Sequence, residues 1–263
     1  MILTSLQNPL VKQIRKLHSP KDRREQQLFI LEGTHLLEEA CAVNYPLVTV
    51  FCTPQWQERH QQIWEQACRQ SERAELVSPE VLKAIATTVQ PDGVMATAKR
   101  HSSQSVPSTS LALALETVQD PGNLGSIIRT AAAAGAGGLW LSGDSVDLDN
   151  PKVLRASAGQ WFRLPMAVSP NLTVTVQECQ QAGMQVVATL PSATLTYWEV
   201  DWRLPSLIML GNEGGGLSAL AMLADLQVRI PLSLGVESLN VAITAALILY
   251  EAQRQRGFTG NAQ

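Results

Sequence analysis

The sequence predicts an α/β protein built as two domains, and three observations carry that prediction. Apolar runs of strand length alternate with helix-length segments along most of the 263 residues. Several runs are apolar without interruption, as strands buried on both faces of a parallel sheet are. A polar, Ser-rich stretch with Pro107, KRHSSQSVPSTS (Lys99–Ser110), divides the alternation in two. The expected organisation is a small α/β domain over residues 1–100, a linker over 101–110 and a parallel-sheet domain over 111–263.

In the first domain, LFILE (Leu28–Glu32), LVTVFC (Leu47–Cys52) and GVMATA (Gly93–Ala98) read as short buried strands. THLLEEACA (Thr34–Ala42) and PQWQERHQQIWEQACRQ (Pro54–Gln70) read as helices, with Trp56 and Trp64 as core residues. Beyond the linker, LALALE (Leu111–Glu116) is a continuous apolar strand. A DPGN turn follows, then a helix over Leu124–Ala134 with Asn123 as its N-cap. Gly138–Gly143 is a second strand, and PKVLRASAG (Pro151–Gly159) a short helix opening on proline. RLPMAV (Arg163–Val168) is strand-like, Asn171–Gly183 helical up to its glycine stop, and MQVVATL (Met184–Leu190) a strand.

Ser206–Ser218 is a strand running into a glycine loop, and Leu226–Leu232 a strand closed by Pro231. The last helix, Leu239–Arg256, takes Ser238 or Asn240 at its start and Gly257 as its stop. From Val241 to Leu249 it is apolar almost all round. A helix apolar on every side needs cover on every side, which asks for sheet on one face and a partner subunit on the other.

Composition removes several function classes. Lys and Arg number 20 and Asp and Glu 23, so the chain is no polycation. The charge is unevenly spread: residues 1–24 hold Lys12, Arg15, Lys16, Lys21, Arg23 and Arg24 against Asp22 alone. Two readings of that stretch stand, a solvated helix and loop or a basic arm that meets phosphates. Cys41, Cys52, Cys68 and Cys179 form no Cys-x-x-Cys pair, which argues against a metal site or a disulfide framework and fits a reducing cytoplasm. Neither a signal-peptide pattern nor a membrane-length apolar run is present. His18, His35, His60 and His101 all precede the second domain, so histidine acid–base chemistry is excluded there.

Three segments of the second domain carry more than a core needs. In NLGSIIRTAAAAG, Leu124, Ile127, Ile128 and Ala131 follow the helical apolar spacing and turn Arg129 to the opposite side. LIMLGNEGGGLS sets Glu213 among four glycines at the end of a buried strand, where open α/β sheets bind ligands. It is neither a phosphate loop nor a dinucleotide fingerprint, which disposes of a nucleotide-binding oxidoreductase. IPLSLGVESLNVAITAALILYE joins a proline-ended strand to the apolar last helix.

Together, and in this order, the three segments resemble the motifs of the SpoU (TrmH-like) branch of the SPOUT RNA methyltransferases. TSLQNPLVKQIRKL and FILEGTHLLEEA resemble that family's N-terminal domain, which is similar to an RNA-binding ribosomal-protein fold. The resemblance implies methyl transfer from S-adenosylmethionine to a ribose 2′-hydroxyl of RNA, rRNA ahead of tRNA, without a metal. It also implies a deep trefoil knot, a homodimer and a cytoplasmic enzyme. A catalytically silent RNA-binding protein on the same fold is the alternative of a different class.

Carried over by motif position, the catalytic set is Asn123, Arg129, Glu213, Ser238 and Asn240. The cofactor set is Leu190, Gly211, Asn212, Gly214, Gly216, Ile230, Leu232 and Leu239. Lys12, Arg15, Lys16, Lys21, Arg23 and Arg24 are the expected RNA contacts. The family assigns Arg129 to handling the hydroxyl proton. A guanidinium is a poor base, so its conservative role is to stabilise a developing alkoxide and to dock a phosphate.

Overall fold

The computed structural model describes residues 2–100, 105–107, 110–212 and 214–257. The first half runs β1 (Ile2–Leu3), α1 (Pro9–Lys16), α2 (Pro20–Gln26), β2 (Leu28–Glu32), α3 (Thr34–Ala42) and β3 (Leu47–Cys52). It continues through α4 (Pro54–Arg59), α5 (Gln61–Gln70), β4 (Ser71–Val77), α6 (Pro79–Ile85) and β5 (Val94–Lys99). The second half opens with β6 (Leu111–Leu115), α7 (Pro121–Ala133), β7 (Gly138–Ser142), α8 (Pro151–Ala156) and β8 (Met166–Ser169). α9 (Leu172–Gln181), β9 (Gln185–Thr189), β10 (Leu195–Thr196), β11 (Ser206–Leu210), β12 (Leu226–Arg229) and α10 (Val241–Arg256) complete it.

Proline at the first turn recurs because that position needs no amide hydrogen. α1, α4, α6, α7 and α8 all use it, each behind an Asn, Thr, Ser or Asp side chain that accepts from a first-turn amide. The single helix expected over Pro54–Gln70 is two helices. His60 leaves the helical region (φ −127°, ψ 41°), and its ring stacks on Trp56 at 4.8 Å. β4 shows no apolar run in the sequence because Glu72, Arg73 and Glu75 interrupt it, and Glu72, Arg73 and Ala74 are exposed.

The chain forms two compact units: Met1–Ser102 with Asp147–Phe162, and Ser103–Val146 with Arg163–Gln263. Residues 147–162 therefore depart from the unbroken domain expected over 111–263. The first unit is a mixed five-stranded sheet in the order β1-β4-β3-β5-β2. Val11, Ile14 and Leu17 from the α1 segment, with Val81, Leu82 and Ile85 of α6, cover one face of it over Ile30, Phe51 and Met95.

The 147–162 segment is fixed to this unit by charge and by rings. Trp161 lies against Phe29 and Tyr45, with centroids 5.2 and 6.0 Å away, and Phe162 lies 5.2 Å from Tyr45. Arg23 is 1% exposed and reaches Asp147 at 3.2 Å and Asp149 at 3.3 Å. Arg100 also pairs with Asp149, and Arg24 with Asp147 at 2.8 Å. Arg155 of α8 reaches Glu32 at 3.3 Å and Thr87 Oγ1 at 2.8 Å. The Glu32 carboxylate also accepts from both the backbone and the hydroxyl of Thr87 and of Thr88.

The second unit is a seven-stranded sheet in the order β10-β12-β9-β11-β6-β7-β8, parallel at every pairing. β6 and β11, side by side at its centre, are buried along their whole length. Their uninterrupted apolar sequences follow from that position, since helices cover both faces. One face packs Ala112, Ala114, Val186, Ala188, Leu207 and Met209 against Leu172, Val176 and Cys179 of α9. α7 and α10 pack on each other, α7 turning Leu124, Ile127, Ile128 and Ala131 inward as the spacing predicts.

Burial alone would raise the carboxyl of Glu32, but the Thr87 and Thr88 hydrogen bonds outweigh it and hold its pKa below the ordinary 4.5. The stabilisation this gives is present above that value and lost as pH falls through the depressed one. Glu32→Gln is expected to cost about 1–3 kcal/mol at pH 7, measured by urea denaturation. Wild type should then lose more stability than the variant between about pH 5 and pH 3. Equal losses would show that Glu32 is not the titrating group.

Candidate functional site

The parallel sheet brings the C-terminal ends of β9, β11 and β12 to one edge, and the loops leaving them enclose a pocket. Its volume is about 420 Å³, and residues 189–191, 210–212, 214–217, 228–230, 232 and 237–239 contribute most of the wall. That is the size of a small-molecule site in a position where open parallel sheets bind ligands. The first loop is held where Leu190 N–H donates to the Val228 carbonyl (2.8 Å) and Thr189 Oγ1 to the Met209 carbonyl (3.0 Å).

The glycine loop is folded back on itself. Asn212 and Gly216 exchange backbone hydrogen bonds of 3.0 and 2.9 Å. The Asn212 side-chain oxygen accepts from the amides of Gly214 (2.7 Å) and Gly215 (3.2 Å), and its nitrogen donates to the Thr117 carbonyl (2.8 Å). Two glycines matter for distinct reasons. Gly216 has φ +68°, in the left-handed region. A Cβ on Gly211 would lie 2.1 Å from the Gly216 carbonyl carbon and 2.2 Å from Leu217 N, so any side chain there opens the loop.

The third loop ends at Asn240, which caps α10: its side-chain oxygen accepts from Ala242 N–H (2.8 Å) and Ile243 N–H (3.3 Å). With its oxygen so engaged, the amide nitrogen donates to Asn123 Oδ1 at 2.9 Å. Asn123 does not cap α7, contrary to the sequence expectation. Asp120 is the cap, its carboxylate accepting from Asn123 N–H at 2.8 Å. The helix thus starts three residues earlier than expected, and the Asn123 side chain is left to meet Asn240.

All eight residues expected around the cofactor line the one pocket, and Ser238 joins them. Asn123 and Asn240 meet directly. Arg129 is exposed on α7 and makes no side-chain hydrogen bond or ion pair among the described residues. Glu213 lies outside the described residues. The wall is mostly leucine, isoleucine and glycine, with Thr189, Asn212, Arg229, Glu237, Ser238 and Thr244 as polar elements. An apolar slot with backbone edges suits a nucleoside carrying a short side chain, and the residues present fit S-adenosylmethionine.

The expected RNA contacts divide. Lys12, Arg15 and Lys16 stand exposed on α1 with no ion pair among the described residues. Lys21 is exposed and faces Glu25 at 3.7 Å. Arg24 is exposed but paired to Asp147, which raises its pKa. Arg23 is a correction: it is buried between Asp147 and Asp149 and also donates to the Leu17 and His18 carbonyls, so it cannot reach a phosphate. Its partners lie over 120 positions away, where the run DSVDLDN was the only sign of them.

Burial pushes the thiols of Cys41 and Cys179 up to about 11 and that of Cys52 up to about 12, so they are packing residues and not nucleophiles. Among the described residues there is no group of three or more His, Cys, Asp or Glu that could hold a metal ion. No helix among them is long and apolar enough to cross a membrane.

Comparison with known proteins agrees with this geometry. Residues 110–250 match the SpoU rRNA Methylase family, and residues 8–96 match an MRM3-like substrate binding domain. An uncharacterised tRNA/rRNA methyltransferase of Synechocystis is 47% identical over 257 residues, covering 97% of this chain and 94% of its own. The 23S rRNA (guanosine(2553)-2′-O)-methyltransferase RlmP of Bacillus subtilis is 32% identical over 249 residues, or 94% of this chain and 97% of that one. Among solved structures, the AdoMet-bound rRNA methyltransferase from Sinorhizobium meliloti superposes with a TM-score of 0.86 at 33% identity, covering 97% of each chain. Motifs, fold and pocket converge on one conclusion: the chain belongs to the SpoU rRNA methylase family.

Proposed function

We infer that the protein transfers a methyl group from S-adenosylmethionine to a ribose 2′-hydroxyl of rRNA. The observation that carries this reading is the meeting of three sequence-distant loops around one pocket, with Asn123 and Asn240 hydrogen-bonded where α7 and α10 begin. The bound cofactor supplies a methyl group already activated on its sulfonium sulfur. What remains for the chain is to hold the acceptor in line and to manage the charge left as the hydroxyl proton departs.

Arg129 suits the second task. It is a permanent cation on an exposed helix face, able to stabilise an incipient alkoxide or to grip the neighbouring phosphate through its planar fork. The Asn123–Asn240 pair holds the start of α7 against the start of α10, and Ser238, which lines the pocket, is assigned by motif position to orienting the ribose. Glu213 belongs to the same set by motif position. The eight pocket residues are assigned to the cofactor, held largely through backbone. Ribosomal RNA is preferred to tRNA because RlmP and the 23S rRNA methyltransferase RlmB of Pseudomonas aeruginosa, each aligned over more than nine tenths of this chain, act on 23S rRNA. Lys12, Arg15 and Lys16 are the first candidates for phosphate contact, with Lys21 and Arg24 beside them.

The deep knot belongs to this reading. So does the homodimer, which the last helix supports. Ile243, Leu247 and Tyr250 fall at i, i+4 and i+7 on α10 and remain 53, 37 and 49% exposed. A second copy is the partner that would cover that stripe. A cytoplasmic location goes with the substrate, and the free state of all four cysteines supports it.

Labelled S-adenosylmethionine incubated with rRNA and with tRNA, followed by mapping of the label, tests the reaction. Incorporation at a ribose of rRNA is expected; cofactor binding with no incorporation into either RNA would favour the silent binder. Arg129→Ala is expected to lower transfer by about 100-fold or more while changing cofactor affinity less than about threefold. Equal losses of both would make Arg129 structural. Sedimentation at micromolar concentration should show a dimer, and Ile243→Glu should yield monomer; a wild-type monomer would overturn the dimer.

A further inference from the structure

Glu116 lies one residue beyond β6 and outside the pocket wall, yet it engages both ends of the glycine loop. Its N–H donates to the carbonyl of Leu210, where the loop starts, at 2.9 Å. Its carboxylate accepts from the N–H of Ser218 at 2.7 Å and from the Ser218 hydroxyl at 2.6 Å, where the loop finishes. The next residue, Thr117, accepts from the Asn212 side chain through its carbonyl. Two consecutive residues therefore fix the loop at Leu210, the last residue of β11, at Asn212 and at Ser218, where it finishes.

The loop needs that restraint. Gly211, Gly214, Gly215 and Gly216 leave its backbone with more freedom than any other composition would. In its folded form Gly216 and Leu217 lie directly against Gly211, and the Glu116 bonds to Ser218 hold the end of the loop there alongside the internal Asn212–Gly216 pair. Bonds to an ionised carboxylate are the strong kind for that purpose, and the pair to Ser218 joins residues 102 positions apart. A loop already ordered costs a ligand less on binding.

We propose that Glu116 is a positioning residue for the methyl-donor site, setting the affinity for S-adenosylmethionine by holding the glycine loop closed without touching the ligand. The proposal rests on reading the pocket as that site.

The test is calorimetric titration of S-adenosylmethionine into the full chain, wild type against Glu116→Ala, Glu116→Gln and Ser218→Ala. It is paired with hydrogen–deuterium exchange over residues 211–218 in the ligand-free protein. Glu116→Ala is expected to weaken binding by about tenfold or more and to speed exchange of the loop amides. Turnover at saturating cofactor should stay within about threefold of wild type, a split of KM from kcat that a general loss of structure would not give. Glu116→Gln should bind more tightly than Glu116→Ala, since its amide oxygen can still accept from Ser218 N–H. Binding by Glu116→Ala within about twofold of wild type, with unchanged exchange, would overturn the proposal. So would a Gln variant no better than the Ala variant. If Glu116→Ala fails to fold, Ser218→Ala carries the test, with about a threefold loss expected and no loss overturning it. A wild type that binds no S-adenosylmethionine would refute the site assignment instead, and loop exchange would still decide what Glu116 does.

Discussion

The pairing of β6 with β11 is the constraint on which the second unit depends. Five consecutive residues of each strand lie in register, from Ser206 beside Leu111 to Leu210 beside Leu115. Because the strands run parallel, both end at the same edge, and residues nearly a hundred positions apart leave the sheet as neighbours. Everything chemical begins there: Glu116 and Thr117 on one side, the glycine loop on the other, and hydrogen bonds between them. A slip of one residue would invert the side chains of the strand and detach those partners.

A second constraint operates in the first unit, where charge is buried deliberately. Arg23 is almost fully enclosed and depends on two aspartates, and Glu32 is enclosed with Arg155 and two threonines. Taking such groups from water is costly unless every donor and acceptor is met, so these sites hold only in one arrangement of the chain. They are selective in a way an apolar contact is not: leucine can repack against another neighbour, whereas Arg23 has nowhere else to go.

The strands were the most legible part of the fold. β2, β3, β6, β9 and β11 could be read because apolar runs of strand length admit few alternatives, and the order of the three motifs exposed the pocket. Much of what escaped reading depends on partners far along the chain. Arg23 looks like any surface arginine until Asp147 and Asp149 arrive. Asn123 looks like a helix cap until Asp120 takes that role and Asn240 takes the side chain. Glu116 ends an apolar strand with no local hint that Ser218 awaits it. The helix break at His60 is different, since the amphipathic pattern continues across it and only the backbone turns aside.

The passage of residues 147–162 into the first unit changes what a fragment of this protein would be. The chain crosses between the two units three times, after Ser102, after Val146 and after Phe162, so the polar linker is only one of three covalent connections. Scission within that linker would sever one of them and leave two intact. A fragment beginning at Leu111 would carry Trp161 and Phe162 without Phe29 and Tyr45, and Asp147 and Asp149 without their arginines. Such a piece has an orphaned apolar and acidic surface where the whole protein has an interior. For this chain, the boundary written in composition and the boundary written in packing are different lines, and a separable catalytic half exists only by the first.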